Sequence, residues 1–153
     1  MIEFQEQDCG IFILSADKSK IQEHVVHHFL DKESYWAQGI PLSTLSAAIA
    51  HSLCLGAYLK DGSQIGFGRM ITDYATFGYL ADVFVLQEQR GKGVSKAMMQ
   101  YFCAIADQCG LRRFLLTTQD AHGLYSQFGF EPFPYPERLM SRKGKTYKTL
   151  KTL

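Results

Sequence analysis

The 153-residue chain lacks several features that would mark a special class of protein. No apolar run is long enough to cross a bilayer, and the first ten residues lack the basic and then apolar layout of a signal peptide. The formal net charge is only +1, and apolar residues make up 46% of the chain, so the composition is not that of a disordered protein. We therefore expect one domain over residues 1–153, located in the cytoplasm.

The chain also lacks the residue spacings of a metal or disulfide framework. Four cysteines are present, none in a CxxC pair and none at zinc-ligand spacing from a histidine. We expect them to be reduced, with Cys54 and Cys103 packed in the core. His24, His27 and His28 have no matching carboxylates or cysteines, so no metal site is predicted.

Positive charge is concentrated at the C-terminal end of the chain. From about residue 137 onward, six basic residues stand against one acidic residue. Such a segment can bind nucleic acid or another anionic partner, although a solvated chain end is the simpler interpretation. Because nothing else in the chain favours nucleic-acid binding, we expect neither a nucleic-acid nor a membrane partner.

Hydrophobic spacing predicts an alternation of strands and helices. Helices between the later strands imply parallel pairing there, whereas Asp61-Gly62 predicts an antiparallel hairpin, so a mixed α/β sheet is expected. Ser34–Pro41 is a predicted loop. The predicted strands are Gly10–Ser15, Leu53–Lys60, Gln64–Asp73, Phe77–Leu86, Arg113–Thr118, Phe130–Phe133 and one from Leu139 onward; the predicted helices are Lys18–Leu30, one capped by Ser43 with Leu45, Ile49 and Leu53 on one face, Val94–Cys109, and Ala121–Phe128.

The most informative segment lies between the Phe77–Leu86 strand and the Val94–Cys109 helix. Its sequence is Gln89-Arg90-Gly91-Lys92-Gly93-Val94-Ser95. A helix N-terminus offers unpaired N–H groups and the positive end of the helix dipole, and preceding glycines let a ligand approach the backbone. The segment therefore predicts a phosphate-binding site.

Two common nucleotide motifs do not fit this segment. The Walker motif requires Ser or Thr after Gly-Lys, where Gly93 stands, and the dinucleotide fingerprint requires a third glycine where Lys96 stands. The pattern Arg-x-x-Gly-x-small, formed by Arg90, Gly93 and Ser95, instead resembles the pyrophosphate-binding signature of the GNAT family of N-acetyltransferases. Ser95 departs from the Gly or Ala that is usual at the last position.

The resemblance extends on both sides of the turn, over about residues 55–133. Asp82–Val85 resembles the strand that splays open in this family, and Ala121, Tyr125 and Gly129-Phe130 match its second CoA-side motif in spacing. Thr118 stands where the family often has an asparagine that bonds pantetheine. Further segments, such as SYWAQGIP at residues 34–41, resemble a bacterial branch of the family without an assigned acceptor.

The resemblance implies the acyl-CoA N-acyltransferase fold, a mixed and centrally splayed β-sheet flanked by helices. It implies acetyl-CoA as co-substrate, no metal, and direct attack on the thioester by a primary amine of a small molecule or peptide. The residues that it assigns to acetyl-CoA are Val83, Phe84, Val85, Gln89, Arg90, Gly91, Lys92, Gly93, Val94, Ser95, Thr118 and Tyr125.

The chemistry requires an oxyanion site, an acid and a base. The resemblance places the oxyanion site at the N–H groups of Phe84–Val85 and the acid, which protonates the leaving thiolate, at Tyr125; a phenol pKa near 10 suits that transfer. Asp82 is the first candidate for the base, because a carboxylate is costly to bury without a task. The open alternatives are His122, or Asp73 and Tyr79 acting through a water.

The acceptor pocket is expected between the early helices and the splayed strand. Tyr35 and Trp36 are candidates for its wall, and Glu33 or Asp73 for holding a substrate ammonium; Tyr79 is a further candidate contact. Two other functions stay open: a non-catalytic acyl-CoA-binding domain, and an adaptor that uses the basic C-terminal segment. A homodimer is also left open.

Overall fold

The computed structural model describes residues 2–147, and its strands and helices follow the predicted order from the Phe12–Ser15 strand to the His122–Ser126 helix; the short Gln7–Asp8 strand before them was not predicted. A π-helical turn lies at Phe29–Glu33, and single 3-10 turns lie at Lys18–Lys20, Gln87–Gln89 and Pro136–Arg138. The strands are β1 Gln7–Asp8, β2 Phe12–Ser15, β3 Leu53–Leu59, β4 Gln64–Thr72, β5 Phe77–Val85 and β6 Arg113–Leu116; the helices are α1 Glu23–His28, α2 Leu42–Ala50, α3 Val94–Cys109 and α4 His122–Ser126.

The strands form one sheet in the order β1-β2-β3-β4-β5-β6. Pairing is antiparallel from β1 to β5, and β5 pairs with β6 in parallel through the α3 crossover. The β3–β4 hairpin turns at Asp61-Gly62, where Gly62 has φ 92° and the Asp61 carboxylate accepts the Ser63 N–H. The predicted mixed sheet and its hairpin are confirmed.

The sheet opens between β5 and β6. Their pairing runs only from Phe77 opposite Arg113 to Leu80 opposite Leu116, after which β6 ends and β5 continues to Val85. Opposite Gly68 of β4, Asp82 and Val83 share one position in the ladder, and Asp82 takes φ 56°. This bulge bends β5 where it leaves β6, which gives the predicted splayed sheet.

Two apolar clusters hold the helices on opposite faces of the sheet. Helix α3 buries Met98, Met99 and Phe102 against β3, β4 and β5. Helices α1 and α2 bury Val26 and Leu45 in the second cluster. Helix α3 has the predicted bounds, because its apolar face is continuous and Gly110, with φ 64°, ends it in the left-handed conformation.

Two predictions about the early helices are wrong in detail. The helix predicted over Lys18–Leu30 is interrupted at Ile21 and Gln22, where Gln22 exchanges hydrogen bonds with the distant Gln64. Ser43 does not cap α2, since the helix begins at Leu42 after Pro41. The interruption of the first helix was not predicted because hydrophobic spacing does not reveal the hydrogen bonds that Gln22 makes with β4. The second begins earlier than predicted because the fixed φ of Pro41 favours a helix start directly after it.

The two strands predicted near the C-terminus, Phe130–Phe133 and one from Leu139 onward, are not formed within the described residues. Phe130 and Phe133 contact β6 only through their side chains, Phe130 with Phe114 and Phe133 under Arg113. No strand is formed between residue 117 and residue 147. The rest of the strand predicted from Leu139, and with it part of the basic segment, lies outside the described residues, so the single-domain assignment stays a prediction.

Two smaller expectations concern the cysteines and the membrane. Cys54 is buried, whereas Cys103 packs against the core while partly exposed. Over residues 2–147 no helix combines the length and the apolar character that a membrane span requires. The cytoplasmic location stays a prediction.

Candidate active site

The turn before α3 presents a row of open backbone donors. Gly91 and Gly93 have φ values of 77° and 83°, and Gly93 caps α3 without any side-chain hydrogen bond. The first helical bond runs from the Ala97 N–H to the Gly93 carbonyl, 3.1 Å away. The N–H groups of residues 91–96 therefore have no acceptor among residues 2–147, as an anion site at a helix N-terminus requires.

The first two residues of the predicted phosphate-binding segment, Gln89 and Arg90, do not offer open N–H groups. The N–H groups of Gln89 and Arg90 donate within the turn, to the carbonyls of Leu86 and Gln87. The Arg90 side chain donates from Nε to the Val85 carbonyl at 3.1 Å, and Lys92 Nζ donates to Gln89 Oε1 at 3.0 Å. Gln89 and Arg90 thus hold the turn against β5, and the open donors begin at Gly91.

A cavity of about 580 Å³ occupies the opening between β5 and β6. Its walls come from the bulged part of β5, the segment after β6, the start of α4 and the loop before α2. Among residues 2–147 no cysteine lines it. The lining residues are Tyr35, Trp36, Arg69, Tyr79, Leu80, Ala81, Asp82, Val83, Leu116, Thr117, Thr118, Gln119, Asp120, Ala121 and Tyr125.

Val83, Phe84 and Val85 take three different roles at the open edge of β5. Val83 lines the cavity, whereas the Phe84 ring is buried and stacks on Phe29 at 4.0 Å. The Leu86 N–H bonds to β4, so the antiparallel alternation turns the Phe84 N–H toward β4 and the Val85 N–H away from it. The bond from Arg90 to the Val85 carbonyl fits this orientation.

Tyr125 extends from α4 to the cavity wall. Its ring is partly buried and packs edge-on against Phe130, with centroids 6.1 Å apart. Burial raises the pKa of its phenol, and nearby Tyr35 and Asp120 raise that pKa further. The phenol is therefore protonated at neutral pH, which is the form that a proton donor needs.

Asp82 lies in the cavity wall with both carboxylate oxygens engaged. Oδ2 accepts from Arg69 Nε at 2.6 Å and Oδ1 accepts from Trp36 Nε1 at 2.9 Å. Arg69 also donates to Ser52 Oγ at 3.1 Å, and the Asp82 and Arg69 side chains are only 7% and 16% exposed. The pair therefore links the bulge of β5 to β4 and to the loop that carries Trp36.

The predicted acceptor residues Tyr35, Trp36 and Tyr79 all line the cavity. The Tyr35 hydroxyl accepts the Gln119 N–H at 2.9 Å, and the Tyr79 hydroxyl bonds to Thr117 Oγ1 at 2.8 Å. These bonds tie the aromatic wall to the segment after β6. Thr118 also lines the cavity; its hydroxyl accepts the Ala121 N–H at 3.0 Å and keeps its own proton to donate.

Three other candidates lie outside the cavity lining. The Asp73 carboxylate closes the β4–β5 turn: it accepts from the hydroxyl of Thr76 and from the N–H groups of residues 75–77, and these bonds hold its pKa far below the usual range, with the Thr76 hydroxyl bond first. Glu33 stands 4.0 Å from His28. His122 is in α4 but is absent from the lining.

Sequence reasoning missed four polar residues of the cavity: Arg69, Thr117, Gln119 and Asp120. Arg69 belongs to β4, and its ion pair with Asp82 depends on strand register, which local spacing does not reveal. Gln119 and Asp120 stand between Thr118 and Ala121, inside the stretch that resembles the CoA-side motif, so their position was an available signal. Within residues 2–147 no three His, Cys, Asp or Glu side chains are grouped as metal ligands.

An opened mixed sheet with a donor-rich helix N-terminus beside the opening defines the class of acyl-CoA N-acyltransferase folds. Within that class, the chain belongs to the Acetyltransferase (GNAT) family, whose model matches residues 22–130. The family resemblance and the fold predicted from the sequence are thereby confirmed.

Individual relatives agree with this family. A Gibberella zeae protein named "Putative acetyltransferase" is 32% identical over 77% of each chain. A crystal structure of a GNAT-family protein from Xanthomonas campestris pv. campestris shares 49% identity and a TM-score of 0.83, over 87% of this chain and 93% of that one. Glucosamine-6-phosphate N-acetyltransferase from Arabidopsis thaliana, at 14% identity and TM-score 0.63 over 88% and 99%, shares the fold alone. Since one relative is fungal, the bacterial branch stays a prediction.

Proposed function

We propose that the protein is an N-acetyltransferase that moves the acetyl group of acetyl-CoA to a primary amine of a small molecule or peptide. The observation that carries this proposal is the continuity of two features: the open donors of residues 91–96 stand at the end of β5, and the cavity lined by Tyr125 lies along the same strand. One ligand with a pyrophosphate and a long neutral arm would engage both.

The residues present suit acetyl-CoA. Unpaired N–H groups at 91–96 match a pyrophosphate, and Lys92 adds positive charge beside them. Val83, the outward Val85 N–H and the Thr118 hydroxyl offer apolar and polar contacts to the pantetheine arm. Acetyl-CoA supplies the activated acetyl group as a thioester.

Two groups of the chain would assist the transfer. The Val85 N–H, directed into the opening, would stabilise negative charge on the thioester oxygen as the amine attacks. Tyr125 would donate its proton to the departing thiolate, and the raised pKa of its phenol keeps it protonated until that moment. Because no cysteine lines the cavity within residues 2–147, direct attack by the amine is the mechanism that these residues favour.

We do not assign the general base to Asp82, the first candidate from the sequence. Both oxygens of Asp82 already accept hydrogen bonds, one of them from a guanidinium, so the carboxylate is committed to holding Arg69 and Trp36. We propose that Asp82 positions Trp36 and the β5 bulge. The amine would lose its proton to water held by the Tyr79–Thr117 pair, which lies on the same wall.

A thiol-release assay tests the proposal. Purified protein mixed with acetyl-CoA and a panel of primary amines should release CoA in proportion to acetylated amine, with mass spectrometry to identify the product. Calorimetry with acetyl-CoA in the same buffer separates the main rival. Tight cofactor binding without thiol release from any amine would replace the enzyme with a non-catalytic acyl-CoA-binding domain.

A further inference from the structure

The candidate cavity has an unbalanced formal charge. Among residues 2–147 its wall contains three acidic or basic side chains, Arg69, Asp82 and Asp120. Arg69 and Asp82 form an ion pair at 2.6 Å, so their formal charges offset each other. Within the same residues the Asp120 carboxylate has neither an ion-pair nor a hydrogen-bond partner. One negative charge therefore remains, and it stands at Asp120.

The position of Asp120 is fixed by the turn that leads into α4. The Thr118 hydroxyl accepts the Ala121 N–H at 3.0 Å, which closes a tight turn around residues 118–121. The turn sets Asp120 on the cavity wall with Tyr125, near enough to influence the ionisation of its phenol. Asp120 therefore places a negative charge on the same wall as the proposed proton donor.

The other carboxylates considered for binding an ammonium are already occupied. Asp82 is held by Arg69 and Trp36, and Asp73 closes the β4–β5 turn with four hydrogen bonds. Glu33 lies outside the lining, near His28. Asp120 is the acidic group of the wall that is left to meet a positively charged ligand.

We propose that Asp120 selects the acceptor by charge: the cavity takes amines that carry a second positive charge and disfavours amines with a nearby carboxylate or phosphate. This inference rests on the proposed acetyltransferase function and names its substrate class. An ammonium placed beside Asp120 gains a favourable ion pair, whereas an acidic group there meets a like charge.

Three acceptors of matched length test the proposal: 1,4-diaminobutane, butylamine and 4-aminobutanoate. The wild-type protein should use them in that order of kcat/KM. In Asp120→Asn the KM for 1,4-diaminobutane should rise about fivefold, as expected for a partly exposed ion pair, while the KM for acetyl-CoA stays unchanged. Asp107→Asn removes the same charge from the exposed surface of α3 and should change neither value.

Two results would overturn the inference while the enzyme remains active. The first is that wild type and Asp120→Asn show the same relative kcat/KM values for the three amines. The second is that Asp120→Asn raises only the KM for acetyl-CoA, which would place Asp120 against the cofactor. Calorimetry of 1,4-diaminobutane with the CoA-bound protein gives a readout without turnover. Weaker binding to Asp120→Asn than to Asp107→Asn supports the inference even where no amine is acetylated, whereas equal binding contradicts it.

Discussion

The two halves of the sheet differ in what their residues do. From β2 to the start of β5 the ladder is antiparallel and covered on both faces, and its side chains contact one another. After Leu80, β5 loses its neighbour β6, and residues 81–83 of its open edge line the cavity. Side-chain packing accounts for the residues of the closed half. The cavity of the open half is where we propose that the ligands bind. Substitutions in the two halves should therefore separate stability from function.

The largest functional effect is expected at the helix N-terminus of the open half. Gly93→Val should abolish acetyl-CoA binding in calorimetry, because a branched side chain would cover the open N–H groups and φ 83° is strained for valine. The strain alone costs about 1–2 kcal/mol. Gly110→Val, at φ 64° on the other end of α3, is the matched control. It should lose similar stability and still bind acetyl-CoA; normal affinity in Gly93→Val would refute the site.

The next effect is expected at the proton donor. Tyr125→Phe removes one oxygen and leaves the ring packed on Phe130, so kcat should fall about 100-fold or more while acetyl-CoA affinity is retained. Steady-state kinetics measures the fall in kcat, and calorimetry on the same preparation measures the acetyl-CoA affinity. An unchanged kcat would remove Tyr125 from the chemistry.

In the closed half the expected effect is on stability alone. Leu14 of β2 is fully buried in the apolar cluster that α3 forms with the sheet. Leu14→Ala should therefore reduce the free energy of unfolding by about 3 kcal/mol. Urea unfolding measures this loss. The KM values for acetyl-CoA and the amine should remain those of the wild type below the transition, and a large rise in either would show that the two halves are coupled.

The smallest effect is a displacement in the pH profile of kcat. In the proposed mechanism Tyr125 acts in its protonated form, and burial raises the pKa of that phenol, so the donor stays protonated to a higher pH than a free tyrosine. The alkaline loss of activity assigned to this group should therefore lie above about pH 10. An alkaline limb below that value that disappears in Tyr125→Phe would contradict the raised pKa.

The fold could be predicted where the signal is local. Helix α3 and the Asp61-Gly62 hairpin were found because an apolar face, a glycine stop and a turn dipeptide are all contained in short segments. The segment Phe130–Phe133 is apolar enough for a strand, yet its rings pack on β6 without backbone pairing. Whether an apolar segment pairs or only packs is decided by the available sheet edge, which spacing does not contain.

The site divides in the same way. The glycine turn could be recognised from the sequence because its open donors come from consecutive residues, and its role in binding CoA stays a prediction. Asp73, predicted as an acceptor contact, lies outside the cavity lining and closes the β4–β5 turn, a position that its Asp-x-x-Thr spacing with Thr76 could have indicated. The pairing of Asp82 with Arg69 depends on strand register and could not be seen from either residue alone. That pairing changes the role proposed for Asp82 from base to positioning residue.

The most direct test of the central claim is a crystal structure of the protein with CoA. Under this proposal the pyrophosphate lies within hydrogen-bond distance of the N–H groups of residues 91–96. The pantetheine arm runs between β5 and the segment after β6, with its sulfur near the Tyr125 hydroxyl. A CoA molecule bound elsewhere, or one whose sulfur is turned away from the cavity, would contradict it.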